Sequence, residues 1–125
     1  MNVLDFKITY ETYEHINELS LEDKLLCIRA EEALGTSYSP YSKFKVGTAI
    51  QLADGEIILG SNQENVAYPS GLCAERVALF AIGASKPHAV ISTMAITAFT
   101  ENFDIKNPVT SCGACLQVKI GRAHV

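Results

Sequence analysis

Two cysteine motifs, each at the start of a predicted helix, constrain the fold of this chain more than any other feature of its sequence. Cys112-Gly113-Ala114-Cys115 is a C-x-x-C pair, and Cys73 lies upstream in Cys73-Ala74-Glu75-Arg76. Two thiolates at positions i and i+3 of a first helical turn point to one side of the helix and can bind one metal ion. A third thiolate from Cys73 completes the set only if the fold brings both helix N-termini to one point.

Three protein ligands leave the fourth tetrahedral position of a zinc ion open, which is typical of a catalytic site. Glu75 is a carboxylate beside that position and can move protons. The same pairing of Cys-x-Glu with Cys-x-x-Cys is typical of zinc nucleobase deaminases. The alternative is a structural zinc site, which needs four ligands. The fourth cysteine, Cys27, is predicted to pack in the core, and His15, His88 and His124 have no ligand spacing with the cysteines.

Composition narrows the class of protein further. Hydrophobic residues make up 48% of the 125 residues, enough for one compact core, and the net charge of −4 argues against a nucleic-acid partner. No apolar run is long enough to cross a membrane, and the N-terminus lacks the pattern of a signal peptide. We therefore expect a cytoplasmic protein, in which reduced thiols favour metal binding over disulfides.

The hydrophobic pattern predicts the order helix, hairpin, helix, strand, helix. Ser20 is the predicted N-cap of the first helix, whose apolar residues are Leu21, Leu25, Ile28, Ala33 and Leu34. Asp54-Gly55 is the predicted hairpin turn. The remaining predicted elements are strands over 44–52 and 56–61, a helix over 72–84, a central strand over 89–98, a helix from 112–115, and an edge strand or ordered arm over 6–14. This order predicts a three-layer α-β-α fold with a mixed sheet.

Four segments together resemble the homotetrameric cytidine deaminase family, and the resemblance covers roughly residues 20–118. They are Y-S-P-Y-S-K-F-K-V-G at 38–47, G-S-N-Q-E-N at 60–65, G-L-C-A-E-R at 71–76 and C-G-A-C-L-Q-V at 112–118. The resemblance implies a cytidine-deaminase-like fold in which four subunits assemble around shared active sites. It also implies zinc-dependent hydrolysis of cytidine or deoxycytidine to the uridine counterpart, with release of ammonia, a reaction of pyrimidine salvage.

Position in these motifs implies a role for each site residue. The implied zinc ligands are Cys73, Cys112 and Cys115, with Glu75 as the proton shuttle. Asn62 and Glu64 are the implied ribose contacts, Phe44 packs on the pyrimidine, and the N–H of Ala74 contacts the base. Tyr68 corresponds to a residue near a subunit interface.

Arg76 follows Cys73 by three residues, within reach of the thiolates. Three thiolates carry more negative charge than one zinc ion neutralises, so a guanidinium that hydrogen-bonds the sulfurs would offset the excess.

Several of the implied site residues also have an interpretation that requires no role in a site. Arg76 could lie on the surface, Asn62 and Glu64 could be solvent-exposed, and Phe44 could be an ordinary core residue.

Two positions depart from the family's pattern. Ser111 stands where proline usually precedes the C-G-A-C motif, which would loosen the loop that presents Cys112. Leu116 stands where arginine commonly follows the second cysteine, which places more of the charge compensation on Arg76.

Two alternative functions remain open at this point. One is a deaminase of the same fold that acts on another aminopyrimidine compound. The other is a non-catalytic zinc-binding module, although a structural site has no use for the carboxylate of Glu75. Modification of a polynucleotide is disfavoured by the acidic charge balance.

The resemblance stops at Val118, so we expect one domain over residues 1–118 and a non-native tail over 119–125. The tail lacks a helical apolar stripe, and Ile120–Val125 resembles the translation of a common sequencing adapter. Family members continue with the rest of a helix and further strands. We therefore expect an open frame from Val118 at the source locus, and in the present chain an exposed strand edge at 89–98 that promotes non-specific association.

Overall fold

The structure, a computed structural model, describes residues 1–123 and contains six regular elements in the predicted order. They are α1 (Leu21–Ala33), β1 (Lys45–Leu52), β2 (Ile57–Ser61), α2 (Ala74–Ser85), β3 (Ile91–Phe99) and α3 (Gly113–Ala123). The edge strand over 6–14 is wrong, because residues 1–13 are exposed and without regular secondary structure. None of the helices within residues 1–123 is long and apolar enough to cross a bilayer.

The strands form one sheet in the order β2-β1-β3, and both pairings are antiparallel. The mixed sheet is therefore a wrong prediction for residues 1–123, whose three strands form an antiparallel sheet. The central position predicted for strand 89–98 is also wrong, since β1 is central. The apolar sequence of β3 reflects helices on both faces of the sheet and does not require a strand on both edges.

Helices cover both faces of the sheet, which confirms the three-layer architecture. Alternate residues of the strands point to opposite faces. On one face, Ala49 packs with Leu26 and Ala30 of α1. On the other face the buried cluster consists of Ile50, Leu52, Ala78, Leu79 and Ile82, with Met94 and Val118 packed against it.

The start of α1 is as predicted, but its buried face is as predicted only at Ala33. Ser20 Oγ accepts a hydrogen bond from the N–H of Asp23 at 3.1 Å, which is an N-cap interaction. The buried side chains are Leu26, Ala30 and Ala33, whereas Leu21 is 86% exposed and Leu25 is 50% exposed. Because α1 packs against Ala49 of β1, Leu26 rather than Leu25 faces the sheet.

Helix α3 continues to Ala123, past the expected end of the native sequence at Val118. Val118 packs against the buried cluster formed by β1 and α2. Lys119 Nζ donates a hydrogen bond to Ser111 Oγ at 2.5 Å. The expected loss of helix after Val118 is therefore wrong for residues 119–123. His124 and Val125 of the proposed tail lie outside the described residues.

Candidate metal centre and adjoining cavity

The N-terminus of α2 lies directly against β2 because Gly60 has no side chain. A Cβ atom at Gly60 would lie 2.5 Å from the carbonyl oxygen of Ala74 and 2.7 Å from the nitrogen of Ala78. No other residue fits at this distance without a shift of α2. The close approach places Cys73, which precedes α2, beside the residues that follow β2.

The three predicted ligands come together in space. The sulfur atoms of Cys73, Cys112 and Cys115 all lie within 4.8 Å of one another. Cys73 Sγ and Cys112 Sγ are 3.7 Å apart, and Cys112 Sγ and Cys115 Sγ are 3.5 Å apart. Tetrahedral Zn–S bonds of about 2.3 Å require sulfur separations of roughly 3.8 Å, so this spacing fits zinc.

The backbone at the start of α3 favours the ionised form of one thiol. Cys112 is the N-cap of α3, and its sulfur accepts a hydrogen bond from the N–H of Cys115 at 3.5 Å. This hydrogen bond lowers the pKa of the Cys112 thiol. Burial has the opposite effect on Cys115 and raises the pKa of its thiol to about 12. Cys115 therefore becomes a thiolate only when a cation replaces its proton.

Arg76 lies against the sulfur cluster, as its spacing from Cys73 predicts. Its Nη2 atom donates a hydrogen bond to Cys73 Sγ at 3.6 Å, and this contact raises the pKa of the Arg76 guanidinium. The Nε atom of Arg76 is buried without a hydrogen-bond partner among the described residues. Arg76 is therefore not the surface arginine of the alternative interpretation.

Two of the three cysteines, Cys73 and Cys112, line a cavity of about 930 Å³. The lining includes eight of the predicted site residues, namely Phe44, Asn62, Glu64, Tyr68, Cys73, Glu75, Arg76 and Cys112. Glu75 is only 5% exposed and lies in the first turn of α2, two residues from Cys73. Ala74 and Cys115 are fully buried and do not line the cavity.

The side-chain amide of Asn62 already makes three hydrogen bonds within the protein. Its Oδ1 accepts hydrogen bonds from the N–H of Val46 at 2.8 Å and from Ser37 Oγ at 2.5 Å. Its Nδ2 donates to the carbonyl oxygen of Phe44 at 2.8 Å. One amide hydrogen therefore remains for a ligand, because a side-chain amide has two hydrogens to donate.

Glu64 binds the loop that precedes β1. Its Oε2 accepts hydrogen bonds from the N–H groups of Tyr41 at 2.9 Å and Ser42 at 3.2 Å, and its Oε1 accepts one from Ser42 Oγ. The Ser42 hydroxyl is the main cause of a lowered pKa for the Glu64 carboxyl. Glu64 is half-buried, and these contacts do not agree with the solvent-exposed interpretation.

Sequence reasoning missed two features beside the cavity, the aromatic partner of Phe44 and the backbone turn before it. Phe44 stacks on Phe103, with ring centroids 6.1 Å apart and an interplanar angle of 25°. Lys43 has a φ of 57°, the left-handed region that few non-glycine residues adopt, and so turns the chain between Ser42 and Phe44. A lysine carries no sequence signal for this conformation, and the contact with Phe103 joins segments far apart in the chain.

Comparison with known proteins identifies relatives over most of the chain. A family model described as the cytidine and deoxycytidylate deaminase zinc-binding region matches residues 2–103, so the C-x-x-C pair lies beyond the matched residues. A cytidine deaminase from Halalkalibacterium halodurans is 40% identical over 98 residues, which cover 78% of this chain and 70% of that protein. One from Sporosarcina psychrophila is 42% identical over 93 residues, which cover 74% of this chain and 64% of that protein.

Solved structures of similar sequence share this fold. The crystal structure of cytidine deaminase from Burkholderia pseudomallei has a TM-score of 0.70 and 37% sequence identity, over 77% of this chain and 72% of that one. That of cytidine deaminase from Mycobacterium leprae has a TM-score of 0.70 and 30% identity, over 82% of each chain.

Proposed function

The chain belongs to the cytidine and deoxycytidylate deaminase family, and from this premise we propose that it hydrolyses cytidine or deoxycytidine to the uridine counterpart and ammonia. The observation that carries the proposal is the cluster of three cysteine sulfurs within 4.8 Å of one another, beside a cavity that Cys73, Cys112 and Glu75 line. Three ligands and a carboxylate that is not a ligand suit catalysis, whereas a structural zinc site uses four ligands.

Cys73, Cys112 and Cys115 are the residues that would hold zinc. When bound, zinc activates water for attack on an electrophilic carbon at neutral pH. Arg76, hydrogen-bonded to Cys73, offsets the negative charge that three thiolates leave in excess. The start of α2 adds the positive end of a helix dipole, because the first N–H groups of the helix, including that of Ala74, have no partner within it.

Glu75 is the proposed catalytic acid and base. Its carboxylate takes a proton from the attacking water and gives it to the ring nitrogen N3 while the oxygen bonds to C4 of the pyrimidine. It then takes the second proton, from the new hydroxyl at C4, and delivers it to the amino nitrogen. The C4–N bond then breaks, ammonia leaves, and the oxygen from water remains as the carbonyl of the product. Burial of Glu75 keeps bulk water from competing for this proton.

The other cavity residues bind the nucleoside in this proposal. Phe44 packs on the pyrimidine, and the N–H of Ala74 at the start of α2 contacts the base. Asn62 donates its remaining amide hydrogen to the ribose, and Glu64 accepts a hydrogen bond from a ribose hydroxyl. These polar groups favour a free nucleoside over an aminopyrimidine without a sugar.

Tyr68 is proposed to lie at a subunit interface of a homotetramer. Its ring is 90% exposed in the single chain although it lines the cavity, so a neighbouring subunit there would close the site. The net charge of −4 argues against nucleic acid as a partner, and the reduced thiols suit a cytoplasmic location. The homotetramer is proposed for the full-length protein, so sedimentation velocity of the zinc-loaded full-length protein tests the assembly, and a monomer at micromolar concentration would contradict it.

The activity is tested by mixing the zinc-loaded chain with cytidine, deoxycytidine or cytosine. The expected result is a loss of ultraviolet absorbance with both nucleosides, equimolar release of ammonia, and a much slower reaction with cytosine. A chain that contains one zinc ion and converts none of the three compounds would contradict the proposal. Turnover of cytosine as fast as that of cytidine would contradict the role given to the ribose contacts.

A further inference from the structure

The carboxylate of Glu64 is held by three donors that all belong to the loop before β1. Two of them are backbone N–H groups, from Tyr41 and Ser42, and the third is the hydroxyl of Ser42. An ionised carboxylate offers about four acceptor positions. The loop therefore leaves Glu64 one acceptor position, and Glu64 lines the cavity.

The Ser42 hydroxyl also contacts the neighbouring aromatic residue. Ser42 Oγ accepts a hydrogen bond from the N–H of Phe44 at 3.1 Å while it donates to Glu64. The left-handed φ of 57° at Lys43 brings these two groups to the same hydroxyl. One side chain thus connects the carboxylate of Glu64 to the backbone that carries the ring of Phe44.

We propose that Ser42 is a positioning residue that orients the Glu64 carboxylate toward a single sugar hydroxyl and fixes its distance from Phe44. This inference rests on the proposed function, because Glu64 and Phe44 are there the contacts to sugar and base. Of the three donors to Glu64, only the Ser42 hydroxyl belongs to a side chain. Ser42→Ala therefore removes this donor to Glu64 and keeps the two backbone donors.

The electrostatics of the loop agree with this geometry. The hydrogen bond from Ser42 is the largest cause of the lowered pKa of the Glu64 carboxyl, and burial, the second cause, acts in the opposite direction. The backbone hydrogen bonds from Tyr41 and Ser42 and the positive charge of Lys43 lower this pKa further. Glu64 is thus held in the ionised form, which is the form that accepts a hydroxyl hydrogen.

The experiment compares Ser42→Ala, Ser42→Thr and the control Ser85→Ala in the full, zinc-loaded chain. Ser85 is an exposed serine at the end of α2, outside the cavity, whose hydroxyl donates to the carbonyl of Ala81. Steady-state kinetics give kcat and KM for cytidine, together with the inhibition constant of 2′,3′-dideoxycytidine, which lacks the sugar hydroxyls in question.

We expect Ser42→Ala to raise KM for cytidine by roughly five- to tenfold, the effect of one charge-assisted hydrogen bond, with little change in kcat. The inhibition constant of dideoxycytidine should stay at the wild-type value. Ser42→Thr keeps the hydroxyl and should restore KM, and Ser85→Ala should behave as wild type. An equal loss of affinity for both compounds, or no loss for either, overturns the proposal.

A second readout does not depend on turnover. Carbon NMR titration of the Glu64 carboxyl should show a higher pKa in Ser42→Ala and a wild-type pKa in Ser42→Thr. An unchanged pKa in Ser42→Ala means that the hydroxyl does not hold the carboxylate, and the proposal fails. If the wild-type chain converts no cytosine nucleoside, the proposed function fails, whereas the titration still decides whether Ser42 orients Glu64.

Discussion

A buried thiol is a poor metal ligand until it loses its proton, and Cys115 is the most buried of the three cysteines at the site. Burial raises the pKa of its thiol to about 12, while the N–H of Cys115 lowers the pKa of Cys112. The ionised form is therefore favoured at Cys112 and disfavoured at Cys115. The coordination of zinc must displace protons from the cluster, which couples metal binding to the folding of both helix starts.

Replacement of Cys112 by alanine should remove zinc from the chain. Cys112 is the central sulfur of the cluster, 3.7 Å from Cys73 and 3.5 Å from Cys115, so the two remaining thiols cannot hold the ion as tightly. We expect zinc to fall from one ion per chain to near zero, with a lower thermal unfolding temperature. Metal analysis after dialysis measures the first effect and calorimetry the second.

Cys27→Ala is the matched control for this substitution. Cys27 lies half-buried on α1, away from the cluster, and burial raises the pKa of its thiol. This variant should keep one zinc ion per chain. Equal zinc content in Cys112→Ala and Cys27→Ala would show that the cysteine cluster is not the metal site.

Glu75→Gln should separate metal binding from catalysis. Glutamine has the size of glutamate but cannot exchange a proton, so zinc should remain while kcat falls by roughly 10²-fold or more. Metal analysis and the absorbance assay measure the two effects on the same sample. Glu101→Gln, at an exposed position outside the cavity, is the control and should be fully active. Near-normal turnover by Glu75→Gln would exclude Glu75 as the proton shuttle.

At the scale of elements, the site depends on how closely α2 packs on β2. Gly60 pairs with Thr48 in the sheet and faces the first turn of α2, where there is no room for a side chain. The start of α2, with Cys73 and Glu75, can therefore occupy this position only because residue 60 has no side chain. A shift of α2 by a fraction of an ångström would move both groups away from Cys112.

Gly60→Ala should destabilise the fold and weaken zinc binding together. The added methyl group would lie 2.5 Å from the carbonyl oxygen of Ala74, and overpacking of this kind costs about 1–3 kcal/mol. Urea unfolding measures the loss of stability, and a competition with a chelator measures zinc affinity. Gly35→Ala is the control, because no atom lies within 4 Å of its Cβ position, and it should be neutral. Equal stability of the two variants would contradict the role of Gly60.

At the scale of the whole molecule, the sheet ends in two edge strands, β2 and β3, of which β3 is the longer. Strand β3 runs from Ile91 to Phe99 without a charged residue or proline, and no strand among residues 1–123 pairs with its outer edge. Natural proteins protect such edges with charges, bulges or covering elements, because an open edge pairs with other chains.

The chain as it stands should therefore associate through β3. We expect light scattering to show large assemblies that grow with concentration. Thr93→Lys adds a charge to this edge and should reduce the assemblies, whereas Thr9→Lys adds the same charge to the exposed N-terminal segment and should not. A single species of defined size, unchanged by Thr93→Lys, would show that the edge is not the site of association.

Local chemistry in the sequence determined where most elements begin and which residues could bind zinc. Ser20 caps α1, and Gly55 forms the hairpin turn with a φ of 91°, because each of these features depends only on adjacent residues. The three cysteines could be assigned for a similar reason. Thiolates at the starts of two helices have few uses besides a shared cation, so the residue types alone limited the chemistry.

Tertiary contacts decided what no local pattern encodes. The sequence did not indicate that Leu26 rather than Leu25 faces the sheet, or that β3 is an edge strand, because both depend on how the elements pack together. Asn62 and Glu64 could be assigned to the sugar only through family resemblance. Their hydrogen bonds to the loop before β1 and to Val46 join residues about twenty positions apart, and such contacts form only after α1, β1 and β2 have folded against one another. Helical and strand periodicity reports which side of one element is apolar, whereas the partner of each polar group is set by the packing of the whole chain.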